Sequence, residues 1–413
     1  MKHFFIKKYI FAGIFLLILF TFGIANFMYQ YDEMNITFQK YNKITNQTDV
    51  KKLISKVEGT ANEELLGKIN FIETYGYIQQ LMGKSEIDNF TYGKDKNGFL
   101  NYASFYKEDD EKLMEYAKQV RRLKESVESK GTKTLFINPP GKYVKNSSIY
   151  DKGFPINDTT QSQDEFLLYL HNNGVDTLDL RKPILESGLP YEKLFYKTDH
   201  HWTIEAAFIA FCAIVEDMES RCGVKLDPNK FYRDLNNYKT YYYPQSMLGS
   251  MGRNSGINYS GLDDFTLIIP KFETDLIYET ENQEREKKRR EGSFDKSILE
   301  VNVIYDSSTS SKIYSLSKYD AYISVNPWDK ITNNKNKDGP KILCIRDSYF
   351  SPTLSFLSPL CSEIHMIWPL ASSNKMDIEE YLEENDFDYV FIELYPHNVN
   401  EEAFTFFKSE KKE

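Results

Sequence analysis

Cysteine is scarce in this sequence, with four residues in a chain of 413. No two of them form a C-x-x-C pair, so a cysteine-based zinc site is not expected. Cys212 and Cys222 are close enough in sequence to pair outside the cytoplasm, whereas Cys344 lies in the apolar run KILCI and is expected to be buried. An excess of positive charge is also lacking, and the formal net charge of −10 argues against nucleic acid binding.

Long apolar runs are likewise rare, and only residues 9–28 form one that is long enough to cross a bilayer as a helix. Lys2, Lys7 and Lys8 precede this run, which favours a cytoplasmic N-terminus and an extracytoplasmic remainder. A cleaved signal peptide is the alternative, with GIAN at 23–26 as a weak cleavage site. We therefore expect residues 1–30 to be a transmembrane anchor or a signal, and the rest of the chain to lie outside the cell membrane.

The remainder divides into two parts by its pattern. Residues 31–90 are polar and helical in tendency, which predicts a stalk or cap of helices. Residues 91–413 alternate short apolar runs with stretches whose apolar residues recur every three or four positions. This alternation predicts an α/β domain with a mostly parallel sheet flanked by helices. The predicted strands are 134–138, 175–180, 341–346, 363–368 and 389–394, and the predicted helices are 109–130, 161–173, 203–221 and 376–385.

One segment, at about 262–305, interrupts this alternation. The sequences DDFTLIIPKFETDLIYE and SILEVNVIYD predict two β-strands, and the charged residues 280–292 lie between them. A solvated hairpin tip or insertion is the plain interpretation, and a docking surface for a partner or for membrane headgroups is the alternative.

Histidine is rare too, yet two of the six histidines are adjacent in the stretch TDHHWT. A metal site, an acid–base pair that serves a distant nucleophile and a packing role all fit Asp199, His200 and His201. A metal site would need a third ligand from a distant histidine. In an acid–base pair, Asp199 would fold back onto the imidazole of His201, fix its tautomer and stabilise the imidazolium.

A nucleophile for such a pair is found in the stretch KILCIRDSYF. Ser348 follows a predicted buried strand and precedes a helical stretch, a junction at which backbone N–H groups point toward a site. In parallel sheets, sites form where strands end, and residues 138–142, 346–349 and 395–398 all follow predicted strands. The alternative role for Ser348 is a simple helix cap.

These motifs resemble a known family. GDS at the end of a strand is the nucleophile block of the SGNH hydrolases, and this chain has Arg346 in place of the glycine. TDHHWT resembles the motif that names the DHHW family, which is similar to the alginate O-acetylation proteins of the SGNH hydrolase superfamily. In that group Asp and His precede the serine, as they do here. Further matching pieces, spread over roughly residues 90–400, are YGKDKNGFL at 92–100, NPPGKY at 138–143, LGSMGR at 248–253 and IRDSYF at 345–350.

The resemblance implies an SGNH hydrolase-like fold with its catalytic blocks in permuted order. It implies Ser348 as nucleophile, His201 as general base and Asp199 as the orienting carboxylate, with His200 structural and the Ser348 N–H as an oxyanion donor. Weaker candidates for substrate contact are Lys142, Arg253, Arg346, Tyr349, Tyr395 and Asn398.

The implied activity is acetyl transfer to, or removal from, an extracellular polysaccharide, such as an exopolysaccharide or a cell wall polymer. The implied partner is a membrane-bound O-acyltransferase that supplies acetyl groups, with the N-terminal helix holding the chain at the membrane. No cofactor, no metal ion and no nucleic acid partner is expected. The alternative is an inactive polysaccharide-binding or assembly scaffold, which the departure at Arg346 favours.

Overall fold

The N-terminal part of the chain is helical. The structure, a computed structural model, describes residues 2–43, 47–103, 108–156, 158–282, 285–306, 312–371, 376–404 and 406, and it divides into units 1–77 and 78–413. Helices α1 (Lys2–Tyr41) and α2 (Gln47–Glu63) lie in the first unit, and α3 (Lys68–Leu81) crosses its boundary. Within α1, residues 7–41 are long and apolar enough to cross a membrane, and the helix continues without a break past GIAN.

Inside the first unit, two polar side chains of α1 form hydrogen bonds with the backbone of residues 61–66. The Gln30 side chain donates to the Ala61 carbonyl at 3.1 Å, and the Asn26 side chain accepts from the Leu66 N–H at 2.8 Å. The end of the predicted anchor therefore has partners within the helical unit.

The second unit holds the remaining helices and all thirteen strands of the described residues. Its strands are β1 (Glu86–Ile87), β2 (Tyr92–Lys94), β3 (Leu100–Tyr102), β4 (Lys133–Asn138), β5 (Asp176–Asp179), β6 (Tyr238–Met247), β7 (Asp263–Pro270), β8 (Leu276–Glu281), β9 (Lys287–Gly292), β10 (Trp328–Asn333), β11 (Lys341–Arg346), β12 (Glu363–Ile367) and β13 (Tyr389–Glu393). Its helices are α4 (Asp110–Glu128), α5 (Thr160–Asn172), α6 (Arg181–Leu185), α7 (Ile204–Cys222), α8 (Ser250–Ser255), α9 (Ile257–Ser260), α10 (Phe294–Ser297), α11 (Val301–Asp306), α12 (Ser351–Leu357) and α13 (Ile378–Glu384).

An eight-stranded sheet in the order β5-β4-β13-β11-β12-β10-β8-β9 forms the centre of this unit. The first five strands are mutually parallel, and the last three are added antiparallel. Apolar residues of α4, α5 and α13 pack on one face of the sheet, and those of α7 and α12 pack on the other. The predicted mostly parallel sheet flanked by helices is confirmed. Because the parallel strands end at one edge, this topology gathers the loops after β4, β11 and β13.

Residues 262–305 differ from their prediction in two respects. The stretch DDFTLIIPKFETDLIYE, predicted as one strand, contains β7, which pairs with β6, and β8, which belongs to the eight-stranded sheet. The stretch SILEVNVIYD, also predicted as a strand, lies in α10, α11 and the residues between them. Alternation would bury Val301 and Val303, yet Val301 is 38% exposed, while Ile298, Leu299 and Ile304 are buried. The hairpin is instead β8–β9, and residues 287–292 of the charged segment form its second strand. Arg289 and Lys287 of this strand pair with Glu279 and Glu281 of the first strand, each at 3.6 Å. These cross-strand pairs account for the mixed signs of the charges.

Candidate active site

Ser348 lies just beyond the carboxyl end of β11, as the first residue of a 3-10 turn that leads into α12. The preceding residue, Asp347, fixes this turn. Its Oδ1 accepts from the Tyr349 N–H at 2.9 Å, and its Oδ2 accepts from the Tyr395 N–H and the Asn398 side chain, each at 2.7 Å. The buried carboxylate thus joins the nucleophile turn to the loop after β13.

The TDHHWT stretch forms a tight turn ahead of α7. Phe195 and Trp202 pair across this turn as an isolated antiparallel bridge, and Thr203 caps α7 by accepting from the Ala206 N–H at 3.1 Å. Helix α7 packs against α12, and the Thr353 hydroxyl of α12 donates to the Ala207 carbonyl at 3.2 Å. Because α12 follows Ser348 directly, this helix pair brings the two distant motifs together.

Three side chains meet at this junction in a serine–histidine–aspartate chain. His201 Nδ1 lies 2.6 Å from Asp199 Oδ1, and His201 Nε2 lies 2.8 Å from Ser348 Oγ. Both separations are within hydrogen-bond reach for proton transfer. Asp199 and His201 are buried and Ser348 is half-buried, so the chain leads from the interior to an accessible hydroxyl. This arrangement can activate a serine for attack on a carbonyl carbon.

The carboxylate of this chain is held in its ionised form. Burial by itself raises the pKa of Asp199, but the charge and hydrogen bond of His201 and the Ser250 N–H, at 2.8 Å from Oδ2, outweigh burial and hold the pKa well below its usual range. A carboxyl group whose pKa is lowered by folding stabilises the folded state. This contribution is complete at pH values above the pKa of an unfolded Asp, about 3.9, and is lost as the pH falls toward the pKa in the folded state. Asp199 is therefore ionised at every pH at which a neutral imidazole can act as a base.

The imidazole of His201 is sandwiched between two rings. Its centroid lies 3.9 Å from that of His200 and 4.0 Å from that of Tyr319, whose ring is stacked at 22°. Burial, followed by the charge of His201, lowers the pKa of His200 to about 3, so His200 is neutral near neutral pH. His200 thus packs against the general-base candidate instead of sharing its chemistry. No sequence motif pointed to Tyr319, which reaches the site from a separate 3-10 turn.

Three of the motifs that carry the family resemblance converge on the TDHHWT turn. Lys142, from NPPGKY, donates its Nζ to the carbonyls of Asp199 at 2.6 Å and Lys197 at 3.0 Å and also to that of Leu100, from YGKDKNGFL. Burial lowers the pKa of Lys142 to about 8. Gly249, from LGSMGR, lies so close that an added Cβ would stand 2.3 Å from Asp199 Cβ. These motifs therefore shape the backbone around the histidine.

Arg346, which stands where SGNH hydrolases have glycine, lies away from the reacting atoms. The side chain is 1% exposed and forms an ion pair with Asp329 of β10 at 3.0 Å. It also donates to the Ser324 carbonyl at 2.9 Å and to Ser351 Oγ at 2.8 Å. These partners occupy the guanidinium in the interior, and the predicted contact of Arg346 with a substrate stays a prediction. The Arg346 side chain thus links the antiparallel strand β10, through Asp329, to the turn that carries Ser348, through Ser351.

This assignment predicts a stability effect for Arg346→Gly. Removing the guanidinium leaves the Asp329 carboxylate buried without its cation, which is expected to lower the free energy of unfolding by about 3–5 kcal/mol. Urea unfolding followed by circular dichroism measures the change. Arg346→Met combined with Asp329→Asn removes both charges and is expected to recover part of the loss. A wild-type unfolding free energy for Arg346→Gly would contradict the structural role.

The other residues predicted to contact substrate divide by exposure. Lys142, Tyr349 and Tyr395 are buried, and Lys142 and Tyr349 are engaged with carbonyl groups, the Tyr349 hydroxyl donating to Pro140 at 3.1 Å. Their burial favours a structural role, and their predicted contact with substrate stays a prediction. Asn398 is half-buried and holds Asp347, as described above. Arg253 is half-buried on α8, one turn beyond the Ser250 N–H that binds Asp199, and its predicted contact with substrate stays a prediction.

Asp199, His200 and His201 also place ligand atoms within 4.8 Å of one another, a spacing compatible with a metal ion. Their hydrogen bonds favour the acid–base interpretation. Asp199 Oδ1 and His201 Nδ1 face each other at 2.6 Å, and His200 Nδ1 lies 3.2 Å from Ser250 Oγ. A metal ion bound by these atoms would displace the contact that orients the imidazole toward Ser348.

A family comparison agrees with the fold and with the motifs. Residues 92–253 match the model of the SGNH hydrolase-like domain, acetyltransferase AlgX. Over residues 92–253 this chain is therefore similar to an SGNH hydrolase-like domain. The match confirms the resemblance to the alginate O-acetylation proteins and includes Asp199 and His201, but it ends before β11. The place of Ser348 in the SGNH hydrolase-like domain therefore depends on the geometry.

Solved structures share the fold of the SGNH hydrolase-like domain. Bacillus cereus PatB1 with a sulfonyl adduct superimposes with a TM-score of 0.61 at 16% identity, covering 77% of this chain and 97% of PatB1. A second structure of Bacillus cereus PatB1 gives a TM-score of 0.61 at 17% identity and covers 76% of this chain and 99% of PatB1. A DHHW family protein from Eubacterium siraeum DSM 15702 gives 0.54 at 20% identity, with 75% and 92% covered. No curated protein matches the chain.

Proposed function

We propose that the chain is an extracytoplasmic polysaccharide O-acetyltransferase or O-acetylesterase that works through an acetyl-serine intermediate on Ser348. The observation that carries this proposal is the unbroken contact chain from Asp199 through His201 to Ser348, with separations of 2.6 and 2.8 Å. The match of residues 92–253 to an acetyltransferase domain model supports acetyl as the transferred group.

In the first half-reaction, Ser348 Oγ attacks the acetyl carbonyl carbon while its proton passes to His201 Nε2. Asp199 stabilises the resulting imidazolium. As the tetrahedral intermediate collapses, the bond from the acetyl carbon to the donor oxygen breaks, and the imidazolium gives its proton to that oxygen. The donor leaves as an alcohol, and the acetyl group remains on Ser348 as an ester.

In the second half-reaction, a hydroxyl group attacks the acetyl carbon of this ester and loses its proton to His201. The ester bond to Ser348 Oγ then breaks, and the proton returns to the serine. A sugar hydroxyl as the attacking group gives an acetylated polysaccharide, and water gives acetate. The same residues therefore support transfer and hydrolysis, and the competition between sugar and water decides the product.

The oxyanion of both intermediates needs a hydrogen-bond donor. The Tyr349 N–H is engaged by Asp347 Oδ1 at 2.9 Å. We assign the Ser348 N–H as the donor, since it precedes the capped turn and belongs to the nucleophile itself. Arg346 stands where SGNH hydrolases have glycine, but its side chain points toward Asp329. The arginine is therefore compatible with the Ser348 N–H as oxyanion donor.

The sulfonyl adduct of PatB1 offers a chemical parallel. Sulfonyl fluorides form stable esters with activated hydroxyl groups, and an activated serine is what the Asp199–His201 pair would produce here. We propose that the same class of reagent reacts with Ser348. An inactive scaffold would not require the serine to lie within hydrogen-bond reach of the histidine.

Helix α1 supports the proposed location at the membrane. Its residues 7–41 are apolar enough to span a bilayer, and the lysines before them favour a cytoplasmic N-terminus. The domain would then face the outside of the cell, where its polysaccharide is found. A membrane-bound O-acyltransferase remains the proposed source of acetyl groups.

The partition between transfer and hydrolysis tests the proposal. The full chain in detergent micelles is mixed with 4-nitrophenyl acetate and with cello-, chito- and mannuronate hexasaccharides, one at a time. We expect nitrophenolate release in every mixture and a gain of one acetyl mass on at least one saccharide. Release without sugar acetylation would identify an esterase, and no release above the buffer rate would contradict the proposed function.

A further inference from the structure

Three half-exposed rings lie beside the proposed base and have no role in the mechanism described above. They are Tyr102 at the end of β3, His200 in the TDHHWT turn and His397 in the loop after β13. The Tyr102 ring lies 4.9 Å from His397 and 6.3 Å from His200. We call this group of three the aromatic platform.

The aromatic platform is continuous with the catalytic residues. His200 lies 3.9 Å from His201 between ring centroids. Behind the platform, the buried Tyr395 ring stacks on His397 at 5.0 Å and on Tyr349, the residue after Ser348, at 4.8 Å. The half-buried rings therefore begin next to the base and pack against buried rings, which relates their positions to Ser348.

All three rings are uncharged near neutral pH. Burial lowers the pKa of His397 to about 4 and that of His200 to about 3. Burial also raises the pKa of Tyr102 above its usual value. Neutral rings with one exposed face bind amphipathic partners, which present C–H groups to the ring and hydroxyl groups to the surroundings.

A small cavity with a mixed polar and apolar lining adjoins one end of the aromatic platform. Its polar lining comes from His397, Glu108, Thr159, Ser162 and the buried amides of Asn138 and Gln163, and its apolar lining comes from Leu113, Phe166, Pro396 and Val399. Its volume of about 100 Å³ equals roughly three waters. This space holds an exocyclic substituent with its hydrogen-bonding groups, and it is too small for a second ring.

We propose that the aromatic platform is the acceptor subsite, on which one pyranose ring of the polysaccharide stacks with an exocyclic group directed into the cavity beside His397. This proposal rests on the proposed function and adds the surface that favours a sugar hydroxyl over water. Stacking would hold one hydroxyl of the ring near His201, where its proton can be removed. The aromatic platform thus determines specificity for the acceptor, whereas Asp199, His201 and Ser348 perform the chemistry.

The test compares acetyl transfer with hydrolysis in the same preparation. The ratio of sugar acetylation to nitrophenolate release is measured for wild type, Tyr102→Ala, His397→Ala and His397→Phe, with the three hexasaccharides as acceptors. We expect the ratio to fall about five- to tenfold in both alanine variants through a higher KM for the saccharide, which corresponds to a lost aromatic contact of about 1–1.4 kcal/mol. His397→Phe retains a ring and is expected to stay within about twofold of wild type.

Matched controls use a tyrosine and a histidine far from the site in sequence and exposed to solvent. Tyr241→Ala and His171→Ala are expected to leave the ratio unchanged. Equal loss in His397→Ala and His397→Phe would show that the imidazole nitrogens matter and would overturn the platform. An unchanged ratio in both alanine variants, or no acetylation of any hexasaccharide by an enzyme that does cleave the ester, would also overturn it. Absence of ester cleavage in wild type would instead contradict the proposed function.

Discussion

Ser348→Ala is expected to lower kcat for 4-nitrophenyl acetate cleavage on the order of 10⁴- to 10⁶-fold. Among the residues that the structure describes, Ser348 Oγ is the hydroxyl oxygen that lies within hydrogen-bond reach of His201 Nε2, at 2.8 Å, so loss of Oγ removes the covalent step. The residual rate would come from binding and from oxyanion stabilisation alone. Nitrophenolate release under saturating ester measures the change.

A surface serine provides the control for this substitution. Ser220→Ala, at an exposed position of α7, is expected to retain wild-type kcat. Because Ser348 is half-buried and its hydroxyl has one described partner, Ser348→Ala should also keep the wild-type melting temperature within a few degrees. Cleavage by Ser348→Ala at the wild-type rate would end the serine mechanism.

Asp199→Asn is expected to reduce kcat on the order of 10⁴-fold, with a smaller change in KM. The carboxylate accepts from His201 Nδ1 at 2.6 Å and so fixes the tautomer in which Nε2 is free to take the serine proton. An asparagine amide in that place can donate to Nδ1, which puts the ring proton on Nε2. The imidazole would then donate toward Ser348 and could not serve as its base.

Asp264→Asn is the matched control for Asp199→Asn, because Asp264 is an exposed carboxylate on the same domain. It is expected to change kcat by less than about twofold. Since Asp199 also accepts from the Ser250 N–H, circular dichroism of both variants should establish that the fold is retained. A folded Asp199→Asn protein with wild-type kcat would exclude the proposed role of the carboxylate.

The sequence was sufficient for those parts of the site that depend on local pattern. The strand–turn–helix pattern around Ser348 and the spacing of Asp199 and His201 predicted which side chains to examine, and the structure brings all three together. The parallel strands were predictable because each is a short apolar run between helices. The stretch at 297–306 was not, since its mixture of β-branched and apolar residues also fits short helices whose buried positions follow a different spacing.

The orientations of individual side chains could not be predicted from the sequence. Arg346 was predicted to contact substrate, but its orientation is decided by Asp329 on an antiparallel strand whose place in the sheet is a tertiary property. Lys142 was predicted in the same role, yet three carbonyl groups from separate segments converge on its Nζ. Tyr319 stacks on His201 from a turn that carries no recognisable motif. Each of these contacts joins segments that are distant in sequence.

Trapping of the acetyl-enzyme tests the central claim most directly. Wild-type protein is mixed with 4-nitrophenyl acetate, quenched in acid within the first turnover and digested for tandem mass spectrometry. In wild type we expect one added acetyl group on the peptide that contains Ser348, attached to that residue. In Ser348→Ala we expect no acetyl group on the same peptide. Rapid ester cleavage with an unmodified Ser348, or with acetyl on a different residue, would contradict the central claim.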